Sequence, residues 1–262
     1  MTLWNGVPAT PEQLEHLASS SYGCYTFFQV RERQVRGLQL HLERLTGNAR
    51  ELFGEAPTRE QLTTQVAQAV ASDDPCSVRI TLIGADHQPV LSGDVVTPDV
   101  VVTIAPPRDE HAPAISVRTT TYQRETPHVK HLGTHGLIRE TRTARQAGYD
   151  DALLVDADGQ ISEGTTWNLL VHDGDSWLWP DAPMLAGITA TLLRQAMDDQ
   201  GVPHRTSLLR GSDLDERTAG FALNSSARRR ISAVDGRALE DGAAVGRQLD
   251  DLWRTTPGEP LD

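Results

Sequence analysis

YQRETPHVKHLGTHGLIRETRTARQAGYDDALLVDADGQISEGTTWN, spanning Tyr122–Asn168, is the stretch from which the rest of the chain can be read. It holds Lys130, the one lysine among 24 Lys and Arg residues. As solvated charges the two residue types are nearly interchangeable, but only lysine sheds its proton readily enough to attack a carbonyl carbon. A chain that uses arginine everywhere else and keeps a single lysine points to a need for a primary amine at that place. The same stretch carries Glu163, in Ser162-Glu163-Gly164, directly after a short strand pattern. A carboxylate so placed can hold a pyridine nitrogen protonated and make the ring an electron sink.

Working outward, three further patterns suit an aldehyde cofactor that bears a phosphate. Gly187-Ile188-Thr189 opens a helical pattern with backbone N–H groups and a hydroxyl. Arg44, on one helix face with His41, offers a bidentate charge, and Asn224-Ser225-Ser226 at a strand end adds donors. Taken singly, each is an ordinary helix start, surface charge or turn, and Glu163 an ordinary strand exit. Beside a lone lysine they form a set. His128, His131 and His135 have no cysteine or carboxylate at hand as a fourth ligand, so no metal is expected.

The periodicity predicts an α+β chain. Residues 21–40 read as two strands about the polar turn Arg31–Gln34, followed by a helix with Leu38, Leu42, Leu45, Ala49 and Leu52 on one face and a stop at Gly54. A second helix begins at the N-cap Thr58, and strands follow over 77–83 and 100–104. Beyond the Pro-rich run after Ala105, the pattern gives a strand over 114–121, a helix over 136–147, hairpins over 152–162 and 167–179, a helix over 188–200, strands over 220–223 and 231–234, and a last helix over 242–253. This divides the chain into a small α+β domain over 1–107, a linker over 108–113 and a larger cofactor-binding domain over 114–262.

With 262 residues, 38% of them apolar, the chain can bury a real core, and a formal charge of −12 argues against a nucleic-acid partner. The N-terminal residues lack a charged leader with an apolar segment, and no run has the length of a membrane span. Two well-separated cysteines, Cys24 and Cys76, read as reduced thiols, and a cytoplasmic location is expected.

From Tyr22 to about Leu239 the chain resembles the fold-type IV pyridoxal-phosphate enzymes, the class IV aminotransferase family that includes branched-chain and D-amino acid aminotransferases and aminodeoxychorismate lyase. Tyr22-Gly23-Cys24-Tyr25 and His41-Leu42-Glu43-Arg44-Leu45 are similar to its small-domain motifs, and His128-Val129-Lys130-His131 to the segment with its Schiff-base lysine. Ile161 to Asn168 is similar to the segment whose glutamate pairs with the pyridine nitrogen, and Leu185 to Thr189 to the ring-packing leucine and phosphate loop. The resemblance implies a two-domain fold with a barrel-like larger domain, pyridoxal 5'-phosphate in the cleft between the domains, and a homodimer.

It also implies roles. Lys130, Glu163 and Tyr25 are the catalytic residues, with Tyr25 and Thr26 facing the substrate. Arg44, Gly187, Ile188, Thr189, Asn224, Ser225 and Ser226 hold the cofactor's phosphate, and Leu185 packs on the ring. An aminotransferase acting on an amino acid and a 2-oxo acid is the first reading. A lyase of the aminodeoxychorismate type is the alternative, since Gly23-Cys24-Tyr25-Thr26 is similar to its Gly-Cys-Phe-Thr. A non-catalytic cofactor carrier fits less well with both Lys130 and Glu163 present. Where family members often run into Pro-Val, this chain has Arg228-Arg229-Arg230. Strand alternation would turn one or two of these, Arg228 and Arg229 first, towards the substrate, which predicts a preference for dicarboxylic substrates; the alternative is that all three are solvated charges on an edge strand.

Overall fold

The computed structural model describes residues 1–110 and 112–261. The elements of its first part are β1 (Thr2–Trp4), β2 (Val7–Pro8), α1 (Pro11–Ser19), β3 (Gly23–Val30), β4 (Gln34–Arg36), α2 (Leu38–Phe53), α3 (Arg59–Ala69), β5 (Cys76–Ile83), α4 (Gln88–Leu91) and β6 (Asp99–Ala105). There follow β7 (Ile115–Thr121), α5 (His135–Gln146), β8 (Asp151–Val155), β9 (Ile161–Gly164), β10 (Asn168–His172), β11 (Trp177–Pro180), α6 (Ile188–Gln200), β12 (His204–Ser207), β13 (Ala219–Leu223), β14 (Arg228–Val234), β15 (Arg237–Ala238), α7 (Ala243–Thr255) and β16 (Gly258–Pro260). Among the described residues no helix is long and apolar enough to cross a membrane.

The chain divides into two compact units. One comprises Met1–Arg108, Val129–Gly133 and Gly258–Asp262, the other Asp109–His128 and Thr134–Pro257. This differs from a single crossing at 108–113, a stretch that includes His111, outside the described residues. Lys130 returns to the first unit because β3 is the last strand of its sheet and accepts a partner there. The Tyr25 N–H donates to the Lys130 carbonyl at 2.9 Å, and the Leu132 N–H donates to that of Gly23 at 2.9 Å. The C-terminal strand β16 returns likewise, pairing antiparallel with β4.

The first unit is a five-stranded antiparallel sheet, ordered β2-β1-β6-β5-β3, with α2 and α3 on one face. Alternation along β3 sends Cys24, Phe28 and Val30 into the core with Leu38, Leu42, Leu45 and Ala49 of α2, and Leu62 and Val66 of α3. Tyr25, Phe27 and Gln29 occupy the other face, half-buried. Thr10 and Gln13 form a capping box at the start of α1, a signal legible in the sequence as Thr-x-x-Gln. Thr58 and Gln61 do the same for α3.

In the second unit one sheet runs β12-β11-β10-β13-β14-β7-β8-β9, with β15 beside β14. It curls so that β9, the last strand of that order, packs on β10 and β11, enclosing a core of Ile115, Val117, Leu153, Ile161, Trp167 and Leu169. Its outer face carries α6 and α7 over Leu170, Trp177, Trp179, Phe221 and Leu223. The strand expected from Ile231 begins at Arg228, because the pairing Leu223↔Arg228 is set by the hairpin and not by apolar alternation.

Candidate active site

The first unit brings Lys130, Tyr25, Thr26 and Arg44 together around the edge of β3. Helix α2 contributes a polar stripe of His41, Arg44 and Asn48 to an otherwise apolar face. The Asn48 Oδ1 accepts from the Lys130 N–H at 3.0 Å and fixes the lysine's backbone. Lys130 Nζ lies 4.8 Å from the centre of the Tyr25 ring, whose other contact is Arg79, with its guanidinium carbon 3.9 Å from the ring centre. Thr26 corrects the expectation of a substrate contact. It is fully buried, because alternation puts it on the opposite face of β3 from Tyr25. Its hydroxyl meets His41 Nδ1 at 2.7 Å and accepts from Arg44 Nη2 at 3.3 Å, so Thr26 positions the arginine.

His41 is buried, and burial first, then the charges of Arg44 and Lys130, hold its pKa well below the ordinary histidine value. The imidazole is therefore neutral, and its Nδ1 shares the Thr26 hydroxyl with Arg44. In the unfolded chain His41 binds a proton below about pH 6.5, whereas in the fold it does not, so stability is complete above that pH and lost as pH falls below it. Urea unfolding of the apoprotein should show this loss, and His41→Gln should flatten the slope by up to about 1.4 kcal/mol per pH unit. An unchanged slope would assign the loss to other groups.

Arg79 on β5 escaped the sequence reading, since nothing near it in the chain marks it. It faces Phe27 across the ladder, its Nε donates to Thr81 Oγ1 at 3.1 Å, and burial pushes its pKa down. Among the described residues no carboxylate pairs with it. A half-buried cation in that condition suits an anionic ligand. Cys24 is the opposite case: burial raises its thiol pKa to about 12, and its Sγ donates to the Leu45 carbonyl, so it is a packing group.

The second unit gathers Glu163, Leu185, Gly187, Ile188 and Thr189. Glu163 is 5% exposed, and its Oε1 accepts from the Leu185 N–H at 3.3 Å and from Arg124 Nη1 at 3.3 Å. The turn after it is locked by Asp151, whose Oδ1 accepts from Thr165 Oγ1 at 2.8 Å and whose Oδ2 accepts from Trp167 Nε1 at 2.9 Å. Gly164 is obligatory there, since a Cβ would fall 1.9 Å from the Trp167 ring. Likewise a Cβ on Gly187 would meet Asn168 Oδ1 at 1.9 Å, while Asn168 Nδ2 holds the Leu185 carbonyl at 2.9 Å. Helix α6 then starts with no side-chain cap over its first N–H groups, and Thr189 is buried at that end.

Asn224, expected among the phosphate donors, is committed to its own loop. Its Oδ1 accepts from the N–H groups of Ser226 and Ala227 at 2.9 and 3.0 Å, and Nδ2 reaches the Thr166 carbonyl at 3.4 Å. Ser225 and Ser226 stand half-buried at the tip. The arginine run also departs from expectation. Arg228 pairs with Leu223 and so faces α7, where Asp250 binds it at 3.1 Å and Trp253 lies under it. Arg230 shares that face and is bound by Asp241. Arg229 turns to the other side, donating from Nε to the Pro113 carbonyl at 2.9 Å. Arg228 is thus neutralised on the outer layer, while Glu163 lies on the inner face with Ile161.

Residues 23–234 match the family described as amino-transferase class IV. The chain belongs to the class IV aminotransferases. It is 26% identical over 247 residues to the branched-chain-amino-acid aminotransferase-like protein 2 of Arabidopsis thaliana, a match that takes in 86% of this chain and 44% of that protein. The chain thus spans less than half the length of that curated relative. Its fold is similar to the branched-chain aminotransferase of Thermoproteus uzoniensis solved with norvaline, with a TM-score of 0.84 at 19% identity over 97% of this chain and 93% of that one. It is also similar to a hypothetical aminotransferase of Mycobacterium tuberculosis bound to alpha-ketoglutarate and PMP, with a TM-score of 0.79 at 19% identity over 98% of each chain. The fold is that of a fold-type IV aminotransferase. Each unit by itself offers groups that suit pyridoxal phosphate: the first a primary amine, the second a buried carboxylate held by an arginine and an uncapped helix start cleared by a glycine.

Proposed function

We propose that this class IV chain is a pyridoxal-phosphate-dependent aminotransferase, moving an amino group between an amino acid and a 2-oxo acid. The observation that carries the reading is the fixed placement of the single lysine, pinned through its backbone by Asn48 and β3 with its amine beside Tyr25. Bound pyridoxal phosphate supplies an aldehyde for that amine and a ring that accepts electrons. Arg44 of the first unit, and Ile188, Thr189, Ser225 and Ser226 of the second, would hold the phosphate, and Leu185 would pack on the ring. Glu163 keeps the ring nitrogen protonated. The Lys130 amine would serve as the base and acid that moves the substrate's α-proton to the cofactor. Tyr25 orients the Lys130 amine, and Arg79 binds a substrate carboxylate. The resemblance further supports a homodimer in the cytoplasm, the first of which sedimentation would test.

The decisive experiment incubates the purified protein with pyridoxal phosphate and single L- or D-amino acids, with no acceptor present, and measures 2-oxo acid released per protein. One equivalent is expected, and continued release of the oxo acid together with ammonia, with no acceptor present, would overturn the reading. Arg79→Ala should raise the KM for the amino donor about 10- to 100-fold, the value of a charge-assisted pair, while Lys130 keeps its cofactor. A loss for glutamate and leucine alike assigns Arg79 to the α-carboxylate, and a loss for glutamate alone to the side chain. An unchanged KM for both removes it from the site.

A further inference from the structure

Arg124 has no part in the roles above, yet its side chain is only 7% exposed and its charge faces that of Glu163, 6% exposed. A carboxylate held away from water takes up a proton unless a cation or several donors oppose it. Arg124 Nη1 meets both Glu163 Oε1, at 3.3 Å, and the Pro127 carbonyl, at 3.2 Å. The second bond closes the turn in which Thr126 has a φ of 45°, a left-handed conformation that a β-branched residue adopts only under constraint. Lys130 follows that turn in the chain. Lysine in place of Arg124 would keep the charge, as a single ammonium where one guanidinium nitrogen now meets both acceptors.

We propose that Arg124 is a positioning residue that keeps the Glu163 carboxylate ionised and aimed, so that a cofactor ring nitrogen stays protonated against it, while bracing the turn that leads into Lys130. This rests on the reading of Glu163 given above. A neutral acid at Glu163 would leave the ring a weaker electron sink.

The test compares Arg124→Gln, Arg124→Lys, Glu163→Gln and the double variant Arg124→Gln/Glu163→Gln, each loaded with pyridoxal phosphate carrying 15N in the ring, whose NMR shift reports protonation of that nitrogen. Arg124→Gln should move the signal towards the unprotonated position and lower kcat about 10- to 100-fold with KM for the amino donor within about twofold. Arg124→Lys should stay near the wild-type shift, and the double variant should be no slower than Glu163→Gln alone. A wild-type shift and kcat in Arg124→Gln, with both lost in Glu163→Gln, overturns the proposal and leaves Glu163 in its role. A wild-type shift and kcat in Glu163→Gln overturns that role and the Arg124 proposal with it. Should Arg124→Gln not fold, the uncharged Arg124→Met decides: a wild-type ring-nitrogen shift in it overturns the proposal.

Discussion

Replacing Lys130 with arginine is expected to abolish turnover, by at least about 10⁴-fold, while the fold survives. The fold survives because the interactions that place the residue run through its backbone: the bond to Asn48 and the ladder bonds of Tyr25 and Leu132 with this segment are indifferent to the side chain. The chemistry fails because a guanidinium keeps its proton at any workable pH and cannot join to an aldehyde carbon. Borohydride reduction of the cofactor-loaded protein followed by peptide mapping should label Lys130 in the wild type, and circular dichroism should show Lys130→Arg folded but unlabelled. Label confined to the N-terminal amine, or turnover retained in the variant, would remove Lys130 from the mechanism.

The second large effect is expected at Glu163. Glutamine keeps the shape and can still meet the Leu185 N–H, but it removes the negative charge from a pocket where the side chain is almost fully enclosed. The first half-reaction should slow by roughly 10²–10³-fold, comparable to removing one preorganised electrostatic contact in other active sites. Stability should fall too, since Arg124 loses its opposing carboxylate, and breaking a buried pair from one side costs about 3–5 kcal/mol. Rates are therefore to be taken well below the variant's melting temperature, with cofactor content measured in parallel. If Glu163→Gln turns over at the wild-type rate with cofactor bound, the carboxylate has a different task.

Much of the fold was legible because it rests on neighbours in the chain. Gly54 ends α2 in left-handed backbone and Thr58 caps α3, each a local signal at its expected place. The capping box of α1 was equally local and went unread. The strand start at Arg228 was not legible, as three arginines carry no apolar alternation and only the partner strand makes them β. The same limit affected the site. Arg228 was expected at the substrate and stands against Asp250, whereas Arg79, distant in sequence from Tyr25, stacks on its ring.

The sequence by itself determined the chemistry available: one primary amine, a carboxylate before a glycine turn, and a helix opening after Gly187, all properties of residue types and of backbone within a turn or two. Tertiary structure alone decided partners and faces. Thr26 and Tyr25 are adjacent in the chain yet stand on opposite sides of β3, and Glu163 meets Arg124 across 39 positions of sequence. Which side a strand residue takes, and what opposes it there, follows from register and from the desolvation of charges that must find one another, and both are set only when the sheet closes.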